Sequence, residues 1–409
     1  MVQILRRIDA LVVDCQSTGA NPERGHLLEL GWGIANPARP EALPAGPLEA
    51  HLLALPPGET IPPPIARLTG LHQEQLQNAL PPGLAWQALA RTAGEMASRC
   101  GMERALTVIH FARFERPFLL DLHQKGSPQG GFPLEIVCTH EIARRLMPEL
   151  PRRGLRALAG FFGFSLELTR RSAGHVRATA AVWGSLVALL EERRGIATTE
   201  QLTSWLQHSA PRPAAKRVFP MARERRLALP EGPGVYRMLR SNGDLLYVGK
   251  ATSLKARFNS YFRKQSGVSE RLLEMLTQAR DFSITATETP LEAALLESDE
   301  IKRHAPPYNV ALRDGGRAIR FFSPDFSQAA AAPSAELRCG PFPSSEALQP
   351  FAALCSLLEL DAPAPQAIPA PQAIPAPQAI PPPQAIPAPG PSPRCALRRA
   401  LCAACAPRC

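Results

Sequence analysis

The chain has 409 residues, of which 45% are hydrophobic and 20% are charged, and its formal net charge is +10. This length favours two or three domains, and the composition is that of a globular protein rather than a disordered one. The sequence contains no run of 18 apolar residues, and its first residues lack the pattern of a secretion signal. We therefore expect a cytoplasmic protein with no membrane partner.

The first part of the chain, residues 1–195, alternates strand-like apolar runs with helical patterns. The clearest of these segments are Leu11–Val13, Leu27–Ala35, Ala105–Phe111 and, for a helix, Ala180–Glu192. Such alternation predicts an α/β domain. Residues 196–228 are polar and contain Pro211 and Pro213, which disfavour a continuous helix, so this segment is predicted to be a linker.

Several stretches of this first domain resemble the DnaQ-like, DEDDh-type 3′–5′ exonucleases. The matching stretches are Val12–Gly19, Leu28–Gly31, Ile61–Gly70, Val108–Glu115, Cys138–Thr139 and Gly174–His175. The resemblance implies an RNase H-like fold for residues 1–195.

Exonucleases of this type hold two metal ions with four carboxylates and use a histidine as base. Asp14 and His175 match that pattern, and Glu115 stands where the family has an aspartate. The other two carboxylate positions hold Gln16 and Ala180, which are poor or impossible metal ligands. We therefore predict an inactive exonuclease site, with Asp14 and Glu115 as a weak remnant metal site, in a module that can still position DNA or bind a partner.

Positive charge is concentrated in the middle of the chain. Between Arg212 and Lys264 there are thirteen Lys or Arg residues against three acidic ones. A basic stretch of this kind is typical of a surface that meets a polyanion, although a solvated charged face would look the same.

A second compact unit is predicted at residues 229–315. Two apolar runs, Gly234–Leu239 and Leu245–Val248, flank an Asn-Gly pair, which predicts a β-hairpin. The later elements are predicted as two helices, a strand and a helix starting at a threonine cap: Ser253–Arg263, Ser269–Ala279, Phe282–Thr287 and Thr289–His304.

The residue types that phosphodiester hydrolysis requires occur in this unit. Tyr236 and Tyr247 lie on the two predicted hairpin strands, with Lys250 and Arg257 close behind them. Glu297 is the candidate metal ligand, since one carboxylate with phosphate oxygens and waters suffices for Mg²⁺. Each residue alone is more simply explained by packing or solvation, but their joint order favours a catalytic centre.

These residues belong to motifs that resemble the GIY-YIG nuclease domain of the UvrC and Cho class. The matching stretches are Gly234–Tyr236, Leu246–Phe262, Glu292–Glu297 and Pro307–Val310. The resemblance implies hydrolysis with a single divalent ion, Mg²⁺ or Mn²⁺, held by Glu297, and stabilisation of the pentacovalent phosphate by Arg257. It also implies that Tyr247 helps to activate water, that Lys250 favours its phenolate, and that Tyr236 and Asn309 position these groups.

Three segments are predicted after the nuclease-like unit. Residues 316–361 form a short extension, and residues 362–394 form a spacer in which 365–388 repeat Pro-Gln-Ala-Ile-Pro-Ala. Proline at this density favours extended polyproline II, and a ligand for a proline-binding partner is the alternative. The tail, residues 395–409, carries Cys395, Cys402, Cys405 and Cys409. Such spacing is compatible with an iron–sulfur cluster or zinc, and also with free thiols.

The organisation resembles fusions of a DnaQ-like domain with a UvrC/Cho-like nuclease domain. That resemblance implies incision of damaged duplex DNA in nucleotide excision repair, with other excision-repair proteins as candidate partners. Two alternatives remain open at this stage: a 3′–5′ exonuclease whose C-terminal half only binds DNA, and a DNA-binding scaffold without catalysis.

Overall fold

The structure, a computed structural model, describes residues 3–39, 48–126, 130–164, 170–208, 217–263 and 267–310, together with 320–323, 328–330, 334–337 and 339–342. The chain divides into two compact units, Met1–Asp314 and Gly315–Cys409. The proline repeat and the cysteine-rich tail lie outside the described residues.

The N-terminal domain is built on a five-stranded mixed sheet of order β3-β2-β1-β4-β5. Its strands are β1 (Ala10–Ser17), β2 (Leu27–Ala35), β3 (Glu49–Leu52), β4 (Ala105–Ile109) and β5 (Leu134–Cys138). β2 runs antiparallel to both β1 and β3, whereas β1, β4 and β5 are mutually parallel. Because parallel strands need crossover connections, helices cover both faces of this sheet.

Seven α-helices lie among the described residues before residue 209. They are α1 (Pro63–Thr69), α2 (Pro82–Cys100), α3 (Ala112–Gly126), α4 (Thr139–Leu146), α5 (Leu155–Phe161), α6 (Ser172–Arg194) and α7 (Thr199–Gln207). Side chains alternate along β1, so that Val12 faces the core with α6 while Leu11 and Val13 face the core with α2 and α3. The sequence thus predicted the α/β class correctly.

Helix α6 is the longest helix of the described chain. By length and composition alone it could cross a membrane, but 67% of its most apolar window is buried inside the domain. Trp183 and Leu186 are both fully buried against the sheet side of the core. Its apolar character is therefore that of a core helix packed on two sides.

The segment predicted as a linker contains two helices, α7 and α8 (Arg223–Leu227). Thr198 caps α7 by accepting a hydrogen bond from the Gln201 amide, and Leu202 of this helix is buried in the N-terminal core. Met221 is buried in the core of the following domain. The first described part of this segment is thus packed onto the N-terminal domain, and the last described part is packed onto the following domain.

The following domain has a three-stranded antiparallel sheet of order β7-β6-β8 covered by three helices. The elements are β6 (Gly234–Leu239), β7 (Leu245–Ala251), α9 (Leu254–Arg263), α10 (Glu270–Gln278), β8 (Asp281–Ala286) and α11 (Pro290–His304). Thr289 caps α11 by accepting a hydrogen bond from the Glu292 amide, with Pro290 at the first helical position. Element types and order match the sequence expectation throughout this domain.

The hairpin turn is wider than the two-residue turn that Asn-Gly favours. In that turn both residues have positive φ, yet here only Gly243 adopts it. Asn242 instead accepts a hydrogen bond from the Asp244 amide at 3.1 Å, within a loop closed by a bond from the Arg240 amide to the Asp244 carbonyl. An asparagine side chain that bonds the backbone two residues on supports such a wider turn.

The described part of the second unit is a small antiparallel sheet of order β10-β9-β11. Its strands are β9 (Arg320–Phe322), β10 (Ala329–Ala330) and β11 (Cys339–Phe342).

Candidate active sites

Three tyrosine rings meet above the β6–β7 hairpin. The rings of Tyr236, Tyr247 and Tyr261 lie with centroids 6.1 to 6.3 Å apart, and the hydroxyls of Tyr236 and Tyr261 are 2.8 Å apart. Gly249 lies opposite Tyr236 in the hairpin register, and a Cβ atom there would overlap the Tyr236 hydroxyl. The glycine of the Tyr-Val-Gly motif is therefore needed so that the phenols can pack together.

Tyr261 was not among the residues predicted for the site. It lies four residues after Arg257 on α9, and residues at that spacing share a helix face. The Arg257 guanidinium accordingly lies 5.2 Å from the Tyr261 ring centroid. Tyrosine is rare here, with four in 409 residues, so the co-occurrence of three in this motif was the available signal.

Glu297 lies at the open side of this cluster, on α11. One carboxylate oxygen accepts a hydrogen bond from the Lys250 amide at 3.0 Å, and the other lies 3.4 Å from the Lys250 ammonium. The side chain is only 13% exposed, so the carboxylate is held in place rather than solvated. Its charge acts on Tyr247, as does that of Arg257.

The outer edge of β7 forms its hydrogen bonds with residues that follow in the chain instead of with another strand. Along this edge the Leu246 carbonyl accepts from the Tyr308 amide at 3.1 Å, and both backbone groups of Val248 bond the Asn309 side chain at 3.0 and 2.9 Å. The Lys250 amide then donates to Glu297. Alternate residues of an edge strand point their backbone groups outward, which explains the spacing of two. Asn309 thus fixes the strand that carries Tyr247.

Burial and close packing raise the pKa of two of the phenols. The pKa of Tyr236 is raised by burial and then by Tyr261 and Tyr247. The pKa of Tyr247 is raised by burial, by Tyr261 and by the Glu297 carboxylate, whereas Arg257 lowers it. The ammonium of Lys250, which we expected to favour the Tyr247 phenolate, lies beside Glu297. The positive charge that acts on Tyr247 here is therefore the Arg257 guanidinium.

The basic stretch is partly neutralised within its own domain. Five of its side chains form ion pairs with carboxylates: Arg225 with Asp281, Arg237 with Glu300, Arg240 with Asp244, Lys250 with Glu297 and Lys255 with Glu231. The surface charge available to a polyanion is therefore smaller than the count of basic residues indicates.

The predicted exonuclease remnant is also assembled, at the end of β1. Asp14 is 6% exposed and lies 3.2 Å from the His175 Nδ1 atom on α6. The Gln16 amide donates to Asp14 at 3.0 Å and lies 3.2 Å from the same His175 nitrogen. A neutral amide thus lies beside both Asp14, the candidate metal ligand, and His175, the candidate base.

Glu115 completes this pocket from α3. Burial raises its pKa well above the ordinary value, and the nearby charge of Asp14 raises it further. A carboxyl whose pKa is raised gives up its proton less readily, which disfavours metal binding. Ala180, where the family has an aspartate, is fully buried in the core.

In the described residues no group of three or more His, Cys, Asp or Glu side chains could hold a metal ion. A cation at Glu297 would therefore take its other ligands from substrate and water, which the chemistry of Mg²⁺ allows. The four cysteines Cys395, Cys402, Cys405 and Cys409 lie outside the described residues.

Comparison with known proteins identifies the second of the two domains directly. Residues 232–310 match the model of the UvrC-like GIY-YIG domain. UvrABC system protein C of Psychrobacter sp. is 51% identical over 86 residues, which are 21% of this chain and 14% of that protein. The magnesium-bound GIY-YIG N-terminal endonuclease domain of UvrC from Thermotoga maritima is 34% identical, covers 22% of this chain and 94% of that chain, and has a TM-score of 0.20.

A longer match spans both domains. A protein of Mycobacterium tuberculosis whose name describes a bifunctional exonuclease/endonuclease is 32% identical over 257 residues, 62% of this chain and 37% of that protein. The present chain therefore spans well under half the length of these curated relatives. It joins an N-terminal domain with an exonuclease-like fold to a UvrC-like GIY-YIG domain, as the sequence motifs predicted.

Proposed function

We propose that this chain is a divalent-metal-dependent DNA endonuclease that incises one strand of damaged duplex DNA in nucleotide excision repair. The observation that carries the proposal is the arrangement of Arg257 and Glu297 around three packed phenols. The likeness of residues 232–310 to UvrC-type domains supports the same reaction class. The protein would act in the cytoplasm, with other excision-repair proteins as partners.

Glu297 would hold the divalent cation, Mg²⁺ or Mn²⁺, because its carboxylate is already fixed at the open side of the cluster. When bound, such a cation supplies the positive charge that offsets the charge developing on the scissile phosphate. Arg257 is exposed and would contact the same phosphate. Tyr236 and Asn309 would hold the hairpin that orients these groups.

Tyr247 is the proposed base that takes a proton from the attacking water. Its raised pKa means that the phenol is neutral in the structure as it stands, and the adjacent Arg257 already favours the phenolate. Additional positive charge in the cluster would lower that pKa further. Tyr261 would take part by the hydrogen bond to Tyr236 that fixes the ring packing.

The N-terminal domain is proposed to be inactive as an exonuclease, because the Gln16 amide lies against both Asp14 and His175. The domain limits of 1–195 and 229–315, with the extension, spacer and tail beyond them, are part of the same proposal. So is an iron–sulfur or zinc site at the four tail cysteines. The rival functions are an exonuclease with a DNA-binding second half and a scaffold without catalysis.

The test is nicking of a lesion-bearing supercoiled plasmid with Mg²⁺ or Mn²⁺. Glu297→Gln keeps an oxygen acceptor for the Lys250 amide but loses the charge, so the domain stays folded while nicking falls at least about a hundredfold. Asp299→Asn on the same helix is the matched control, since Asp299 is exposed. Undiminished nicking by Glu297→Gln would favour the exonuclease rival, and binding without any nicking would favour the scaffold.

A further inference from the structure

The exonuclease-like domain packs directly against the nuclease-like domain through α5 and the loop before it. The Arg152 amide donates to the Thr277 hydroxyl at 3.1 Å, and the Arg152 guanidinium pairs with Glu270 at 2.9 Å. Arg156 lies 3.6 Å from Glu274. Two cations of one domain thus meet two carboxylates on α10 of the other.

The partners on α10 form one stripe. Glu270, Glu274, Thr277 and Gln278 recur at helical spacing on a single face, and we call them the docking stripe. Thr277 and Gln278 are polar yet 0% and 1% exposed, because the other domain covers them. Gly160 of α5 lies so close that a Cβ atom there would overlap the Gln278 side chain.

An aromatic contact closes the other end of the interface. The Arg280 guanidinium lies 4.3 Å from the Phe161 ring centroid, and burial lowers the Arg280 pKa. The ring face stabilises a cation that is removed from water in this way. The contact therefore holds the two domains in one orientation.

The docking stripe continues to the catalytic hairpin through Tyr308. The Tyr308 hydroxyl donates to Glu274 at 2.6 Å and accepts from Gln278. The Arg156 guanidinium lies 5.9 Å from the Tyr308 ring centroid. Tyr308 is 6% exposed, and its hydroxyl is bonded to two side chains of the docking stripe.

Tyr308 and Asn309 form hydrogen bonds to β7 at the residues on either side of Tyr247. The Tyr308 amide bonds the Leu246 carbonyl, and the Asn309 side chain bonds both backbone groups of Val248. Arg156 is therefore connected to β7 through Tyr308, and Gly160 is connected to it through Gln278 and Tyr308.

We propose that the exonuclease-like domain is a positioning partner of the nuclease centre, acting through the docking stripe and Tyr308. This proposal rests on the endonuclease function proposed above. The loss of metal ligands in the first domain leaves the surface of α5 intact, so the domain keeps a role that needs no chemistry of its own.

The test is Gly160→Ala in the full chain, with Gly94→Ala as the matched control. Both glycines lie within helices, but Gly94 has open space around it. The added Cβ at position 160 must displace Gln278 and so break its bond to Tyr308. We expect kcat for nicking to fall about tenfold or more, with KM changed less than about twofold.

Hydrogen exchange gives a second reading that does not depend on activity. Residues 245–251 and 306–310 should exchange faster in Gly160→Ala than in wild type, with the secondary structure and the control unchanged. Faster exchange with unchanged kcat, or a lower unfolding midpoint alone, overturns the proposal. Unchanged exchange in both Gly160→Ala and the bulkier Gly160→Leu overturns it as well. If wild type does not nick DNA, the endonuclease proposal fails while exchange still decides whether docking holds the hairpin.

Discussion

Asn309→Ala tests how far the nuclease centre depends on a buried amide that touches only backbone. The substitution removes two hydrogen bonds, of 3.0 and 2.9 Å, to Val248, and it leaves a buried amide and carbonyl without that partner. Asn309 is 5% exposed, so water cannot easily replace the side chain. At about 1 to 2 kcal/mol for each orphaned group, the free energy of unfolding should fall by about 2 to 4 kcal/mol.

The chain provides two separate optical probes for this measurement. All four tryptophans lie before residue 209, and all four tyrosines lie after residue 235. In denaturant titrations, tryptophan fluorescence therefore follows the exonuclease-like domain and tyrosine absorbance follows the GIY-YIG domain. We expect the tyrosine midpoint to fall with an unchanged slope, whereas the exposed turn variant Asn242→Ala should leave it nearly in place.

Nicking should fall together with stability, because Val248 adjoins Tyr247 in β7. A displacement of the proposed base by a fraction of an ångström lowers kcat by about tenfold or more. A loss of stability below about 0.5 kcal/mol would refute the assignment of Asn309 as a buried edge bond. Full activity in a destabilised variant would refute the link between this edge and the placement of Tyr247.

Three further predictions follow from the two centres. The rate of nicking should rise with pH from about 7 to about 9, because the raised pKa of Tyr247 leaves only a small fraction of phenolate, which grows with pH. A flat pH profile in single-turnover kinetics would exclude this phenol as the base. Burial raises the pKa of Glu115 above its ordinary 4.5, so the folded state binds more protons than the unfolded state above that pH and stability falls as pH rises. Glu115→Gln should remove this fall, and an unchanged pH dependence of the tryptophan-monitored midpoint would contradict it. Ala180→Asp, which restores a family carboxylate, should cost about 3 kcal/mol or more because the position is fully buried, and a stable variant would show that the core can hydrate it.

The local part of the nuclease centre could be predicted from the sequence. Hairpin, helix and caps follow from short-range patterns, and they bring Tyr236, Tyr247 and Arg257 together as expected. Tyr261 was missed because a tyrosine on a helix is ordinarily a packing residue, and its hydrogen-bond partner, Tyr236, lies on the hairpin. The contact of Lys250 with Glu297 was not predicted, since it depends on the packing of α11 against β7.

The contact between the domains could not be predicted in this way. Thr277 and Gln278 look like solvated helix positions in the sequence, and their burial depends on a helix more than a hundred residues earlier in the chain. Likewise, the pairing of Gln16 with both Asp14 and His175 depends on where α6 crosses the sheet. The missing carboxylates of the exonuclease-like site predict a loss of metal affinity. They do not predict which side chain lies where the metal would bind.

The bonded outer edge of β7 also matters for how the protein behaves at high concentration. A bare strand at the margin of a small sheet is a template for another chain, and that is a common route to aggregation. Here Asn309 and Glu297 use the backbone groups that an intruding strand would need. The side chains proposed to serve catalysis thus also cover this edge, and alanine variants at either position should be handled as aggregation-prone proteins.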